Sequence, residues 1–147
     1  NNFNFENFVC IIWVFIHIGS ENIWIVKIVT DSTIDLPPQI IEENDLTVVP
    51  LSITIDGETY IDGIDISPKE FITKMQQSEN LPKSSQPPAG EFLEIYNKLT
   101  KDGSEVLSIH MTAQMSGTVQ SAQTAARMAD GKVTVVNSKY ISITKRN

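Results

Sequence analysis

Residues 105–137 decide the fold, and they read EVLSIHMTAQMSGTVQSAQTAARMADGKVTVVN. The run EVLSIHM at 105–111 is rich in apolar residues and predicts a buried strand. Small and apolar residues at helical spacing in GTVQSAQTAARMA (117–129) predict a helix that Gly131 ends. KVTVVN (132–137) is rich in β-branched residues and predicts another strand. A strand, a helix and a strand in this order are typical of an α/β domain with parallel strands.

The rest of the chain continues this alternation. IWIVKIVT (23–30) predicts a buried strand that feeds a loop, and QIIEEN (39–44) predicts a short helix. The segment 46–62 predicts a strand, a hairpin turn at Asp56–Gly57 and a second strand. Two more helices are predicted at 69–78, after a capping box from Ser67 to Glu70, and at 89–100, with a loop at 79–90 between them. We therefore predict an α/β fold with a mostly parallel sheet flanked by helices.

Composition limits the classes of function. The chain has 147 residues, of which 41% are hydrophobic and 20% charged, as expected of a folded domain with its own core. Its net charge of −7 argues against a nucleic-acid-binding surface. The single cysteine, Cys10, excludes an intrachain disulfide and favours a cytoplasmic location. With only two histidines besides, a zinc site is not expected, and neither is any metal or cofactor of its own.

The first 24 residues differ from the rest. They contain no Lys or Arg, and residues 8–18 are apolar apart from His17. This run is shorter than the roughly 20 residues that span a bilayer, and it lacks the basic start of a signal peptide. We interpret residues 1–24 as an extension, with a membrane-surface anchor or an added strand as alternatives. Membrane contact is expected to be at most transient.

Three polar loops adjoin the predicted strands, namely TDSTIDLP (30–37), KSSQPPAG (83–90) and MTAQMSGT (111–118). Because ligands of a parallel sheet bind at the carboxyl ends of its strands, we expect these loops to converge.

Enzyme chemistry at these loops would use Asp31 or Ser116. Asp31 follows a strand as in phosphoaspartyl enzymes, but the next carboxylate, Asp35, is displaced from their Asp-x-Asp spacing. Ser116 lacks the flanking glycines of a nucleophile elbow, and the nearest base, His110, equally fits a capped or core position. Neither a phosphate-binding P-loop nor a dinucleotide-binding glycine motif is present. No catalytic residue is predicted.

Anion binding fits the same loops better. A helix that begins at Ser116–Gly117–Thr118 presents unpaired backbone N–H groups, two hydroxyls and a glycine that permits close approach. The residues Ser84, Ser85 and Gln86 supply further neutral donors. Such donors suit a carboxylate at the edge of an apolar site. Ordinary helix capping is the alternative role of Ser116 and Thr118.

These motifs resemble those of the DegV family, the fatty-acid-binding proteins that serve bacterial fatty acid kinase. The resemblance covers residues 25 to about 142 and rests on motifs in the family's order and spacing. They are KIVTDSTIDLP (27–37), VVPLSITIDGETYIDGIDIS (48–67), LPKSSQPPAGEF (81–92), MSGTVQSA (115–122) and VTVVNSKYIS (133–142).

The resemblance implies which residues hold the ligand. It assigns the fatty-acid carboxylate to Ser116 and to Ser84, where the family usually has threonine and this chain keeps only the hydroxyl. The supporting loop residues that it implies are Asp31, Ser32, Thr33, Ser85, Gln86, Gly117 and Thr118.

The resemblance also implies a domain organisation and a partner. Residues 25–147 correspond to the family's N-terminal α/β domain, and the second domain is interpreted as absent because the family's pattern fades in ITKRN (143–147). The implied function is to present a long-chain fatty acid to a separate ATP-binding kinase subunit, which makes acyl phosphate for phospholipid synthesis. The alternatives are a fragment without lipid binding and a small hydrolase or phosphotransferase using Asp31 or Ser116.

Overall fold

The computed structural model describes residues 25–34, 36–111, 113 and 116–139. The predicted extension at 1–24 lies outside the described residues, as does the end of the last family motif.

Seven strands and four helices form the described part of the chain. The strands are β1 (Val26–Asp31), β2 (Thr47–Val49), β3 (Ser52–Ile55), β4 (Glu58–Ile61), β5 (Lys83–Ser85), β6 (Glu105–His110) and β7 (Val133–Asn137). The helices are α1 (Pro38–Glu43), α2 (Pro68–Gln77), α3 (Ala89–Thr100) and α4 (Thr118–Met128). All four helices lie where the sequence predicts them, and the α/β class is confirmed.

The main sheet is parallel throughout, with the strand order β2-β1-β6-β7. Val29 pairs with Thr47 on one side and with Ser108 on the other, and Ser108 pairs in turn with Val135. Parallel neighbours end at the same edge, so Asp31, Val49, His110 and Asn137 all close their strands there. The loops that follow these strands therefore meet at one edge of the sheet.

A second, antiparallel sheet corrects two predictions. The segment 46–62 does not form a single strand before its turn: β2 belongs to the main sheet, and β3 pairs with β4 and β5. The break falls at Pro50, which has no N–H to donate to a ladder. The predicted loop at 79–90 contains β5, whose Ser84 pairs with Ile53. Lys-Ser-Ser has no apolar alternation, so only its pairing with β3 reveals it as a strand.

The core lies between the main sheet and the pair of helices α3 and α4. Phe92 and Tyr96 on α3 are fully buried, and Ala122 and Ala125 on α4 let the two helices approach closely. The sheet contributes Val29, Val49 and Val106 to the same cluster. Burying an aromatic side chain of this size contributes about 1.5–3 kcal/mol, so α3 is a main source of stability.

Helix α2 has no fully buried residue, and its Lys74 makes polar contacts with β4. The predicted capping box at its start is confirmed, with Ser67 and Glu70 bonding reciprocally. Lys74 on this helix lies 3.9 Å from Glu58 and 5.0 Å from the ring centre of Tyr60 on β4.

Alanine substitutions at two glycines should change the free energy of unfolding in opposite directions. A Cβ on Gly131 would lie 2.2 Å from Cβ of Thr100, where the turn after α4 meets the end of α3. Gly131→Ala should therefore lower the free energy of unfolding by about 1–3 kcal/mol. A Cβ on Gly90, inside α3, would meet no atom within 4 Å. Gly90→Ala should raise the same free energy by up to about 1 kcal/mol, because alanine favours the helix. Urea unfolding at neutral pH measures both, and equal effects in one direction would contradict the packing described.

Candidate functional site

Asp31 is the last residue of β1, and both oxygens of its carboxylate accept hydrogen bonds from neighbouring residues. The residue is 1% exposed. Its Oδ1 accepts hydrogen bonds from the backbone N–H of Thr33, at 3.1 Å, and from the Thr33 hydroxyl. Its Oδ2 accepts from Nδ1 of His110, at 2.9 Å, and from the N–H of Met111, at 3.4 Å. A carboxylate has about four lone-pair positions, and here all of them have donors.

A chain of buried hydrogen bonds connects Asp31 to the core helix. The Tyr96 hydroxyl donates to Oγ of Ser108 at 2.7 Å, and this Oγ lies 2.7 Å from Nε2 of His110. With Tyr96 donating to Ser108, the Ser108 hydroxyl can donate to Nε2, and Nδ1–H of His110 then donates to Asp31. Every buried polar side-chain atom of this chain of hydrogen bonds then has a partner. The chain thus runs from α3 through β6 to β1.

Burial and hydrogen bonding act in opposite directions on this chain. Burial would raise the pKa of Asp31, but the hydrogen bonds from His110 and Thr33 favour the charged form and bring its pKa below the usual value. Burial raises the pKa of Tyr96 to about 12, although the contact with Ser108 acts against the rise. At neutral pH Asp31 is therefore ionised and Tyr96 keeps its proton.

The connectivity Ser108–His110–Asp31 is that of a hydrolase triad, but its burial prevents that role. Ser108 is 0% exposed and His110 is 1% exposed. The Ser108 hydroxyl also carries the bond from Tyr96 on its core side. A nucleophile must reach its substrate, and this hydroxyl is enclosed. The core position considered for His110 is confirmed, and Asp31 has neither the exposure nor a free lone pair for phosphotransfer.

Ser32 fastens the first loop to the neighbouring strand. Its N–H donates to the carbonyl of Val49 at 3.1 Å, and its Oγ accepts from the N–H of Leu51 at 3.0 Å. These bonds hold the chain where it passes from β2 into the second sheet. Ser32 and Thr33 therefore shape the loop at the edge of the main sheet.

Gly117 lies next to the start of α4, and a residue that follows β5 of the second sheet packs against it. A Cβ on Gly117 would lie 2.5 Å from Nε2 and 2.6 Å from Oε1 of Gln86, so the Gln86 amide packs directly on the glycine. The sequence predicts close approach of an anion at this glycine; in the structure the group that lies against it is the Gln86 side chain. This contact brings the segment after β5 to the start of α4.

Ser116 and Thr118 at the start of α4 are hydrogen-bonded to each other and differ in exposure. Oγ of Ser116 lies 2.7 Å from Oγ1 of Thr118 and accepts from the Thr118 N–H at 3.2 Å. Thr118 is 0% exposed, whereas Ser116 is half-buried. The contacts with Thr118 are the hydrogen bonds that Ser116 makes to other described residues. If the Thr118 hydroxyl donates to Ser116, the Ser116 hydroxyl proton remains available to a ligand.

Ser84 and Ser85 lie on β5 and are exposed, with Ser85 opposite Ser52 on β3. Gln86 follows Ser85 directly, so Ser84 lies two residues along the chain from the contact with Gly117.

Comparison with known proteins decides the family. The model for the DegV family, described as uncharacterised proteins, matches residues 25–146. The chain belongs to the DegV family. This confirms the resemblance found in the sequence motifs.

Its relatives in the DegV family are longer proteins. A DegV domain-containing protein from Staphylococcus aureus is 49% identical over 115 residues, which cover 78% of this chain and 41% of that protein. A DegV domain-containing protein from Lactococcus lactis is 47% identical over the same shares. The chain thus spans about two fifths of the length of the curated relatives it matches.

Solved DegV structures share the fold. A DegV family protein from Thermus thermophilus, described by its fatty acid binding, has a TM-score of 0.74 and 37% identity, covering 80% of this chain and 42% of that one. DegV from Bacillus subtilis, described as a fatty acid binding protein, has a TM-score of 0.77 and 33% identity, with 82% and 43% covered. A stearic-acid-binding protein from Eubacterium ventriosum has a TM-score of 0.74 and 33% identity, with 79% and 42% covered.

Two further findings concern the described part of this DegV chain. No group of three or more His, Cys, Asp or Glu side chains there is placed to hold a metal ion. None of the helices in those ranges is long and apolar enough to cross a membrane.

The buried hydrogen-bond chain from Tyr96 to Asp31 is not among the features predicted from the sequence. Its signal was present, because Val106, Ser108 and His110 alternate along β6 and so share one face. Two polar residues on the buried face of a strand require partners, and Tyr96 and Asp31 provide them.

Acid should weaken the fold through Asp31. Because the folded-state pKa of Asp31 lies below the unfolded value of about 3.9, the unfolded chain binds more protons in acid, and stability falls with falling pH. At pH 7 Asp31→Asn should lower the free energy of unfolding by about 1–3 kcal/mol. The gap between wild type and variant should persist above pH ~4 and shrink below it. Urea unfolding at a series of pH values measures the gap.

The control is Asp102→Asn. Burial is negligible at Asp102, whose pKa is also held well below its usual range by Lys27. Its effect should disappear in high salt, whereas that of buried Asp31 should remain. A gap for Asp31→Asn that does not change with pH would contradict the ionised, hydrogen-bonded state.

Proposed function

We propose that this chain binds a long-chain fatty acid, holding its carboxylate at Ser116 and Ser84, and that the bound acid is presented to the ATP-binding subunit of a fatty acid kinase. The contact of Gln86 with Gly117 carries the proposal, since it joins the segment of Ser84 to the helix start of Ser116. Fatty acids are also the ligands named for the solved DegV structures from Thermus thermophilus and Bacillus subtilis.

Neutral donors at this place suit a carboxylate. The Ser116 proton and the Ser84 hydroxyl can donate, and hydrogen bonds to an ionised acceptor are the stronger kind. The Thr118 N–H already donates to Ser116, but the positive end of the α4 dipole still favours an anion there. The Asp31 carboxylate does not compete with the ligand for these donors, because its oxygens already accept hydrogen bonds from Thr33 and His110. The remaining supporting residues, Ser32, Thr33, Ser85 and Thr118, would shape the loops around the ligand.

The chain's own role in the proposal is binding and orientation. In the presentation step, the kinase subunit would supply ATP and phosphorylate the exposed carboxylate to an acyl phosphate, which serves phospholipid synthesis in the cytoplasm. Residues 25–147 would act as the family's first α/β domain in this process. No catalytic group of this chain is assigned to phosphoryl transfer.

Removing the Ser116 hydroxyl should weaken binding by the worth of one charge-assisted hydrogen bond. That is about 1.5–3 kcal/mol, or roughly ten- to a hundredfold in Kd. Native mass spectrometry of the purified chain, with lipid extraction and an oleate titration, measures occupancy and affinity. Ser84→Ala should weaken binding in the same direction, whereas Ser84→Thr keeps the hydroxyl and should retain it.

The matched control is Ser67→Ala, which removes a serine hydroxyl from the start of another helix, α2. It should leave oleate affinity within about twofold of wild type, because α2 is not part of the proposed site. A wild-type chain that binds no oleate would contradict the proposal, as would Ser116→Ala binding like wild type. With a fatty acid kinase subunit and ATP added, acyl phosphate formation should fall in Ser116→Ala and not in Ser67→Ala.

A further inference from the structure

The carboxylate of Asp31 joins two loops of the site. Its Oδ1 holds Thr33, in the loop after β1, by the backbone N–H and the hydroxyl. Its Oδ2 holds His110 and Met111, which begin the segment that leads to Ser116. One buried group therefore fixes the first residues of both loops relative to each other.

The partner of Asp31 is itself held from the core. Nε2 of the His110 ring lies 2.7 Å from Ser108, which receives the hydroxyl of Tyr96 on α3. This ring also packs against Phe92 in a T-shaped arrangement, with ring centres 5.1 Å apart. The imidazole is thus fixed on three sides, and Asp31 transmits that fixed position to the loop after β1.

The backbone of His110 extends the same connection to a third loop. Its carbonyl accepts the N–H of Ser138 at 2.9 Å, just beyond the end of β7. Three neighbouring loops at the carboxyl edge of the sheet are therefore hydrogen-bonded to Asp31 or His110.

We propose that Asp31 is a positioning residue for the fatty-acid carboxylate site, one that sets the place of Ser116 without contacting the ligand. The inference rests on the proposed function. Its oxygens have no lone pair left for a ligand's donor, and the ligand's own carboxylate would repel it, so the effect of Asp31 on binding must pass through the loops that it holds.

Asp31→Asn tests the proposal with almost no change of shape. The amide keeps one acceptor oxygen and turns the other into a donor, which then faces the N–H of Met111 or of Thr33. The control is Val106→Ala, which leaves a cavity in the core cluster near the end of β6 opposite His110. Both variants of the 147-residue chain are compared at urea concentrations that give equal overall stability.

Two measurements separate positioning from general destabilisation. The first is hydrogen exchange at the Thr118 amide, which donates to Ser116 and does not contact Asp31. The second is the Kd for oleate. In Asp31→Asn the Thr118 amide should exchange at least about tenfold faster and Kd should rise at least about tenfold, since small misplacements of positioned groups cost affinity on this scale. In Val106→Ala both should stay near wild type.

The possible outcomes decide between the claims. If wild type binds oleate and Asp31→Asn binds it equally well, or if Val106→Ala shows the same losses, Asp31 is not a positioning residue. If wild type binds no oleate, the proposed function fails, and unchanged Thr118 exchange in Asp31→Asn would overturn the positioning role as well. Should Asp31→Asn not fold, Ser108→Ala releases His110 from Tyr96 and should show the same two effects; their absence would overturn the proposal.

Discussion

The contact between Asp31 and His110 is the constraint on which the loops at the carboxyl edge of the main sheet depend. A buried carboxylate is costly unless donors surround it, and Asp31 is surrounded by donors from two loops. Because β1 and β6 are parallel neighbours, this one contact sets where both loops leave the sheet. The Tyr96–Ser108 hydrogen bond connects this contact to the core, so the packing of α3 helps to fix the position of His110.

The site divides into a buried support and an accessible donor surface. Asp31, Ser108 and His110 lie beneath, with their polar atoms satisfied by one another. Ser116 and Ser84 remain half-buried or exposed, with hydroxyl groups that can turn toward a ligand. The buried residues hold the uncharged donor groups in place. Uncharged donors can hold a carboxylate, because hydrogen bonds to an ionised acceptor are charge-assisted. Under the proposed function, that division would let a chain with net charge −7 hold an anionic ligand.

Much of the fold could be predicted, because it follows from local signals. The capping box at Ser67, the Asp56–Gly57 turn and the β-branched runs at β1 and β7 each specify structure within a few residues. The strand β5 could not be predicted, since its ladder to β3 joins segments far apart in the chain. The same reason hides the contact of Gln86 with Gly117, although the glycine itself indicated a close approach. The hydrogen-bond partners of His110 are likewise set by topology and not by neighbours in sequence.

The central claim is that a fatty-acid carboxylate is hydrogen-bonded between Ser116 and Ser84, and carbon-13 NMR of carboxyl-labelled palmitate bound to the chain tests it most directly. The account predicts a bound carboxyl resonance that stays constant between about pH 5 and 9, because hydrogen bonds to the charged form lower its pKa. The resonance should shift in Ser116→Ala and Ser84→Ala and stay unchanged in Ser67→Ala. A bound carboxyl that titrates as in solvent, with the same resonance in wild type and Ser116→Ala, would contradict the account.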